Sequence, residues 1–205
     1  KGERLALGPK ALLEIEGRSL LRWLSAKACA VSPEVIVAVP PGCVTEWSSH
    51  CPGCRLIEGG DTHLASMTRL IEAATLPWLM NLNVAMPFAS IGLMREVALA
   101  ARACGIAGAF LATELPVAHI EAGRVRQLHS RHETGIAQGP NAYLRAHLLS
   151  LIERADADDW QRQSFLEIAL RHGLSIGAVP GEKSNLKITT PQVWRQAQLL
   201  KDHLA

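Results

Sequence analysis

Arg4 and Lys10 stand six residues apart in the opening stretch Lys1-Gly2-Glu3-Arg4-Leu5-Ala6-Leu7-Gly8-Pro9-Lys10. Gly2 and Gly8 lack a Cβ and let the backbone approach a ligand closely, and two glycines with Pro9 make the stretch a turn-rich loop. Bared backbone N–H groups with two cations suit a polyphosphate. The same ten residues also read as a solvated chain end, so this stretch alone leaves both readings open. A second constellation is Cys51-Pro52-Gly53-Cys54, with Cys43 and His50 nearby. A zinc ribbon needs a second cysteine pair at comparable spacing, and the sequence has none. A thioredoxin-like pair opens a helix after a strand, whereas this one precedes a strand, so these residues read as loop thiols. His129, His132 and His147 are scattered and read as surface or packing residues. Glu14, Glu16 and Asp61 are the acids expected nearest the opening loop.

The chain that must position these groups has 205 residues, 48% of them apolar and 20% charged. That suits a single domain over 1–205 with a sizeable core. The net charge is +2 and the basic residues are dispersed, which gives no footprint for nucleic acid. The most apolar region, Pro77 to Ala112, is broken by Asn81, Asn83, Pro87, Arg95, Glu96 and Arg102, so a membrane span is not expected. Five cysteines without an export pattern point to a reducing, cytoplasmic setting.

Ala11–Ile15 reads as a short extended piece, and Ser19 as the cap of a helix running to about Ala30. The β-branched run Glu34–Val39, stopped by Pro40-Pro41, predicts a strand buried on both faces. Strands follow at Cys54–Ile57, Trp78–Leu82 and Ala107–Ala112. Helices lie between them, one capped by Asp61 or Thr62 and one over Ile91–Cys104. This alternation is the pattern of an α/β, Rossmann-like, doubly wound and mostly parallel sheet. Ligands then bind beyond the carboxyl ends of the strands, here Pro40-Pro41, Gly59-Gly60-Asp61 and Asn83–Pro87. Residues of about 115–135 break the pattern and read as a protruding β-arm turned at Ala122-Gly123, of the kind that packs on a second subunit. Helices are expected at Tyr143–Ile152 and Trp160–Arg171, a strand at Ser175–Val179, and a strand or extended loop at Ser184–Ile188. A last helix starts at Pro191, with Thr190 as its cap. Trp23, Trp78, Trp160 and Trp194 read as core or dimer contacts, and Trp47 as a loop residue.

At Gly181-Glu182-Lys183-Ser184-Asn185-Leu186-Lys187-Ile188-Thr189-Thr190-Pro191 the chain resembles the 2-C-methyl-D-erythritol 4-phosphate cytidylyltransferases of non-mevalonate isoprenoid synthesis. Their tail reads Asn-(Ile/Leu)-Lys-(Ile/Val)-Thr-x-Pro. The opening loop is similar to their Gly-x-Gly-x-Arg…Pro-Lys signature from its second glycine, Gly2, onward. Val37–Pro41 and Gly59-Gly60-Asp61-Thr62 match their second strand and cytidine turn. The resemblance implies the nucleotide-diphospho-sugar transferase type of fold and a reaction joining CTP to a sugar-alcohol phosphate with Mg²⁺. It implies that Arg4 and Lys10 clasp the triphosphate and that Lys187 neutralises the substrate phosphate. It further implies that Gly2, Pro40, Gly59, Gly60, Asp61 and Ser66 bind the nucleotide, that Thr189 binds substrate, and that the arm joins a homodimer.

The same resemblance marks departures. The family's His-Asp-Ala-Ala-Arg-Pro-Phe loop reads Leu82-Asn83-Val84-Ala85-Met86-Pro87-Phe88 here. Asn83 stands where a magnesium carboxylate is expected and Met86 where an arginine meets the substrate phosphate. His63 replaces an arginine of the cytidine turn, and Ile120 replaces a threonine of the arm. These substitutions open two alternatives, an impaired homologue that binds a nucleotide or a partner, and a transferase for another polyol phosphate. The family's loop also begins one strand earlier, so the natural chain is expected to start upstream of Lys1.

Overall fold

The computed structural model describes residues 8–156, 158–161 and 164–204. Four helix starts are set by hydroxyl side chains. Ser19, Thr62, Ser90 and Thr190 each accept a hydrogen bond from the backbone N–H three residues on. Each thereby satisfies one of the amides that a helix N-terminus leaves open. Thr62, rather than the alternative Asp61, is the cap of its helix.

A 3-10 turn at Lys10–Leu12 replaces the first part of the extended piece expected there. It leads into a small hairpin, β1 (Glu14–Ile15) and β2 (Arg18–Ser19). Then come α1 (Leu20–Cys29), β3 (Ile36–Val39), α2 (Val44–Trp47), β4 (Arg55–Glu58), α3 (His63–Ala73), β5 (Trp78–Asn81), α4 (Ile91–Cys104) and β6 (Ile106–Ala112). The arm is a hairpin of β7 (Val117–Glu121) and β8 (Arg124–His129), turned at Ala122 and Gly123, whose φ angles are 48° and 74°. It is followed by β9 (Gly135–Leu144), α5 (Arg145–Arg154), α6 (Phe165–Arg171), β10 (Gly177–Pro180) and α7 (Pro191–Leu199). Ser184–Ile188 forms no strand and begins in a turn, with Asn185 N donating to Glu182 O at 3.1 Å and Leu186 N to Ser184 O at 2.8 Å.

The α/β class holds, with a mixed main sheet in the order β10-β6-β9-β5. β10 runs parallel to β6, and β9 lies antiparallel between β6 and β5. A separate parallel ladder pairs β3 with β4, and among the described residues no ladder joins it to the main sheet. The strand β9 is the main departure from expectation, which began a helix at Tyr143. Its inner half, Pro140–Tyr143, is buried and shows no two-residue alternation, while Gly135, Gly139 and Pro140 punctuate it like a loop. β3 is also less enclosed than expected, with only Val39 fully buried. Trp160 opens no long helix. It sits in a single 3-10 turn at Asp159–Gln161 and is 39% exposed, whereas Trp47 is 7% exposed and belongs to the core.

Helices cover both faces of the main sheet. Leu64, Met67 and Ile71 of α3 pack with Tyr143, Leu148, Leu151, Phe165 and Ile168. Leu93, Val97 and Ala101 of α4 pack with Ala107, Ala109, Ala142 and Val179. A third cluster matters most for the site. Ile15, Leu20, Phe88, Ile188 and Leu204 are buried together, with Leu13, Val84 and Trp194 against them. Each such fully buried apolar side chain contributes roughly 1.5–3 kcal/mol. Together they draw the segment after Lys10, the loop after β5 and the tail loop before α7 to one place.

Candidate nucleotide-binding site

Lys10 begins the 3-10 turn, and Ala11 behind it is buried with Leu21, Val39 and Trp47. Val84 and Leu12 pack on the same cluster, so Lys10 is anchored between the end of β3 and the loop after β5. Pro40 is exposed at that strand end, where its carbonyl accepts from Cys43 N at 3.1 Å.

The turn after β4 is held from within. Gly59 N donates to Val39 O at 2.8 Å. The Ser66 hydroxyl accepts from Gly60 N at 3.0 Å and offers its proton to Gly60 O at 3.2 Å or Thr62 O at 3.0 Å. Arg69 Nη1 donates to Gly59 O at 2.8 Å. A Cβ on Gly60 would lie 2.6 Å from the Ala65 Cβ, so only glycine lets this backbone lie against α3. With its backbone held there, the turn leaves Asp61 exposed at its tip.

The tail loop is stitched to the sheet. Asn185 Nδ2 donates to Gly139 O at 2.7 Å, and Gln138 Nε2 donates to Glu182 O at 3.1 Å and Asn185 O at 3.2 Å. Ile188 N donates to Ala85 O at 2.7 Å. Asn185 and Ile188 are buried at 1% and 0% exposure, and Lys187 between them is exposed. Thr189 is half-buried, with its hydroxyl 3.4 Å from Lys187 O. Lys187 faces the turn after β4. Partial burial first, and then the Lys187 charge, hold the His63 imidazole below its ordinary pKa.

The loop after β5 is built differently. The Asn83 side-chain oxygen accepts from Ala85 N at 2.9 Å, and Met86 N donates to Asn83 O at 2.7 Å. Met86 is 8% exposed, and Ala85, Phe88 and Ala89 are more deeply buried still. Position 86 therefore holds an apolar core residue. Position 83 supplies one neutral oxygen already bonded to its own loop. Among the described residues no three His, Cys, Asp or Glu side chains gather to hold a metal ion. These donors do not fit a protein-held Mg²⁺, which ordinarily keeps a carboxylate.

The structure thus brings Lys10, the Gly59–Ser66 turn, His63, Lys187 and Thr189 to one side of the molecule. Ile120 is on the arm and 63% exposed. Gly2 and Arg4 lie outside the described residues. Of the acids expected near the opening loop, Asp61 is exposed at the tip of the turn after β4 and the other two lie elsewhere. Glu16 pairs with Lys201 at 3.0 Å, and Glu14 lines a separate cleft with Arg18, Arg22 and His50. The cysteine motif is not a paired site. Cys51 is buried, while Cys54 lies 3.8 Å from Cys29, and burial pushes the Cys54 thiol up to about 12. Gln138, Glu182 and Arg69 were not singled out from sequence. The partners of Gln138 and Glu182 lie far along the chain, and Arg69 bonds backbone carbonyls, so no local pattern marks such contacts.

The chain is similar to known proteins along most of its length. A 2-C-methyl-D-erythritol 4-phosphate cytidylyltransferase of Thermus thermophilus is 34% identical over 191 residues, covering 93% of this chain and 88% of its own. The enzyme of the same name from Deinococcus radiodurans is 32% identical over 203 residues, covering 99% and 86%. A crystal structure of a Thermus thermophilus 2-C-methyl-D-erythritol 4-phosphate cytidylyltransferase superposes with a TM-score of 0.82 at 32% identity, covering 95% of this chain and 94% of that one. Residues 1–202 match the 2-C-methyl-D-erythritol 4-phosphate cytidylyltransferase family, and the chain belongs to it.

Proposed function

We propose that this chain joins CTP and 2-C-methyl-D-erythritol 4-phosphate to give CDP-methylerythritol and pyrophosphate, a step of non-mevalonate isoprenoid synthesis. The observation that carries the reading is the exposed Lys187, held between the buried Asn185 and Ile188, the latter bonded through its N–H to Ala85 O at 2.7 Å, with its charge near His63 of the Gly59–Ser66 turn. In such a transfer an oxygen of the substrate phosphate attacks the α-phosphorus of CTP and the bond to the departing pyrophosphate breaks. Most of the acceleration comes from positioning and from fixed charge around the phosphoryl oxygens. Lys187 neutralises the incoming phosphate, and Lys10, with Arg4, holds the leaving pyrophosphate. Gly59, Gly60, Asp61 and Ser66 receive the cytidine, with Pro40 at the edge of the site and Thr189 beside the acceptor. Magnesium, in this reading, arrives chelated by the triphosphate, since Asn83 is a poor sole ligand.

A second reading rests on the buried Met86 and the inward Asn83, which leave the acceptor side without its expected charge. The chain then takes another polyol phosphate, or binds nucleotide without turnover. Pyrophosphate release separates these readings. The parent with CTP, Mg²⁺ and methylerythritol phosphate releases pyrophosphate, and Lys187→Ala loses about 100-fold or more. Release only with a different sugar-alcohol phosphate, or CTP binding with no product from any acceptor, favours the second reading.

The arm supports a homodimer as part of this proposal. Val117, Ile120, Val125 and Leu128 expose between 40% and 66% of their surface on a hairpin that stands off the sheet. Sedimentation of the parent against Ile120→Lys tests it. The five thiols are free, which suits the reducing cytoplasm proposed as its setting. No helix among the described residues is long and apolar enough to cross a membrane.

A further inference from the structure

The tail loop that carries Lys187 and the loop that carries Asn83 and Met86 are distant in the chain, Glu182 and Ser90 standing 92 residues apart, and one carboxylate joins them. Glu182 Oε2 accepts from Ser90 N at 3.0 Å, and Glu182 Oε1 accepts from the Ser90 hydroxyl at 2.5 Å. Ser90 is also the cap of α4, accepting from Leu93 N at 3.0 Å, so the carboxylate sits at the positive end of that helix. The backbone of Glu182 is fixed in turn. Its N–H donates to Gln138 Oε1 and its carbonyl accepts from Gln138 Nε2, both at 3.1 Å.

A buried cation completes the arrangement. Lys27 is 5% exposed, and its ammonium donates to Pro87 O at 3.3 Å, Ala89 O at 3.4 Å and His203 O at 3.3 Å. The first two of those carbonyls belong to the same loop that ends at Ser90. An ammonium this enclosed is costly to keep charged, and the nearby Glu182 carboxylate supports its charge. Five residues beyond Glu182 stands Lys187, and the next residue, Ile188, returns to the same loop through Ala85 O.

We infer that Glu182 is a positioning residue for the transfer, locking the Lys187 loop to the Asn83–Ser90 loop so that Lys187 is set at a fixed distance from the transferring phosphorus. The inference rests on the proposed function for the identity of the reaction, but the clamp itself is open to a test that needs no turnover. Ile188 N–H, bonded to Ala85 O, reports whether the two loops stay joined, and Val97 N–H in α4 reports whether the fold does. In amide hydrogen exchange, Glu182→Ala speeds exchange at Ile188 by about tenfold or more while Val97 keeps its protection. Glu182→Gln restores protection at Ile188, because an amide both accepts from Ser90 N and donates to its hydroxyl. Ser90→Asp keeps the helix cap but sets a second carboxylate against Glu182, and it speeds Ile188 as Glu182→Ala does. Lys183→Ala, at an exposed neighbour paired with Glu114, changes neither amide. In turnover, Glu182→Ala lowers kcat by about 10-fold to 100-fold with the KM for CTP within about threefold, as a misplaced group does. Unchanged exchange at Ile188 in both disrupting variants overturns the inference, as does equal acceleration at Ile188 and Val97, which would make Glu182 a prop of the whole fold. If the parent makes no product, the functional reading fails and the exchange experiment still decides the clamp.

Discussion

The turn after β4 and the loop after β5 both leave strand ends near Lys187, and they spend their polar atoms in opposite ways. In the turn, Ser66 and Arg69 satisfy backbone groups from behind, so the backbone is fixed while Asp61 stays exposed and His63 keeps its ring partly open to solvent. In the loop after β5, the polar side chain at position 83 is turned back on its own backbone, and Met86 and Phe88 fill the core. One region is rigid because something supports it from the rear. The other is rigid because it has become interior. Only the first arrangement leaves polar groups for a ligand.

Placing charge in the sealed loop tests that contrast most strongly. Met86→Arg restores the family's residue type at a position 8% exposed. A buried charge without a partner costs about 3–5 kcal/mol, so the melting temperature falls by roughly 10 °C with no gain in pyrophosphate release. A variant of normal stability with raised turnover would show that the loop opens and that the contrast is false. Gly60→Ala strikes the other region, where the new Cβ meets Ala65. Overpacking there costs about 1–3 kcal/mol, and calorimetric titration should show weakened CTP binding out of proportion to any change in helix content. Unaltered CTP affinity would remove this turn from the site. Ser66→Ala is milder. It leaves Gly60 N without its acceptor, worth about 1 kcal/mol, or about fivefold in Kd for CTP.

What was legible in the sequence follows from how local each cause is. Ser90, the apolar spacing of Leu93, Met94, Val97 and Ala101, and Gly105 lie within one window, and Ile91–Cys104 is legible to the residue. Lys187 was legible as a candidate because its motif is contiguous. The strand β9 was not, since Pro140–Tyr143 is enclosed on both sides and its glycines imitate a loop. The substitutions at 83 and 86 were visible as letters. Their consequence, a side chain turned inward and a thioether in the core, depends on Phe88, Ile188 and Leu20 arriving from distant segments. The clamp at Glu182 was equally hidden, because it reaches a partner 92 residues away.

The smallest effect is expected at His63, which sits at the start of the supported turn and within reach of Lys187. Partial burial and that lysine lower its pKa, so it is largely neutral at pH 7 in the free protein. A bound triphosphate brings negative charge that favours the imidazolium, so the pKa rises on binding and CTP takes up a proton with it. The sign is then fixed. As pH falls toward and below the ordinary histidine value, binding by the parent gains relative to a variant that cannot titrate. Between about pH 7.5 and 5.5 the ratio of CTP affinities, parent over His63→Asn, should rise by about threefold, and comparing the two proteins cancels protonation of the nucleotide itself. A ratio that stays flat would place the triphosphate away from the turn after β4, with its charge met at Lys10 and Arg4 alone.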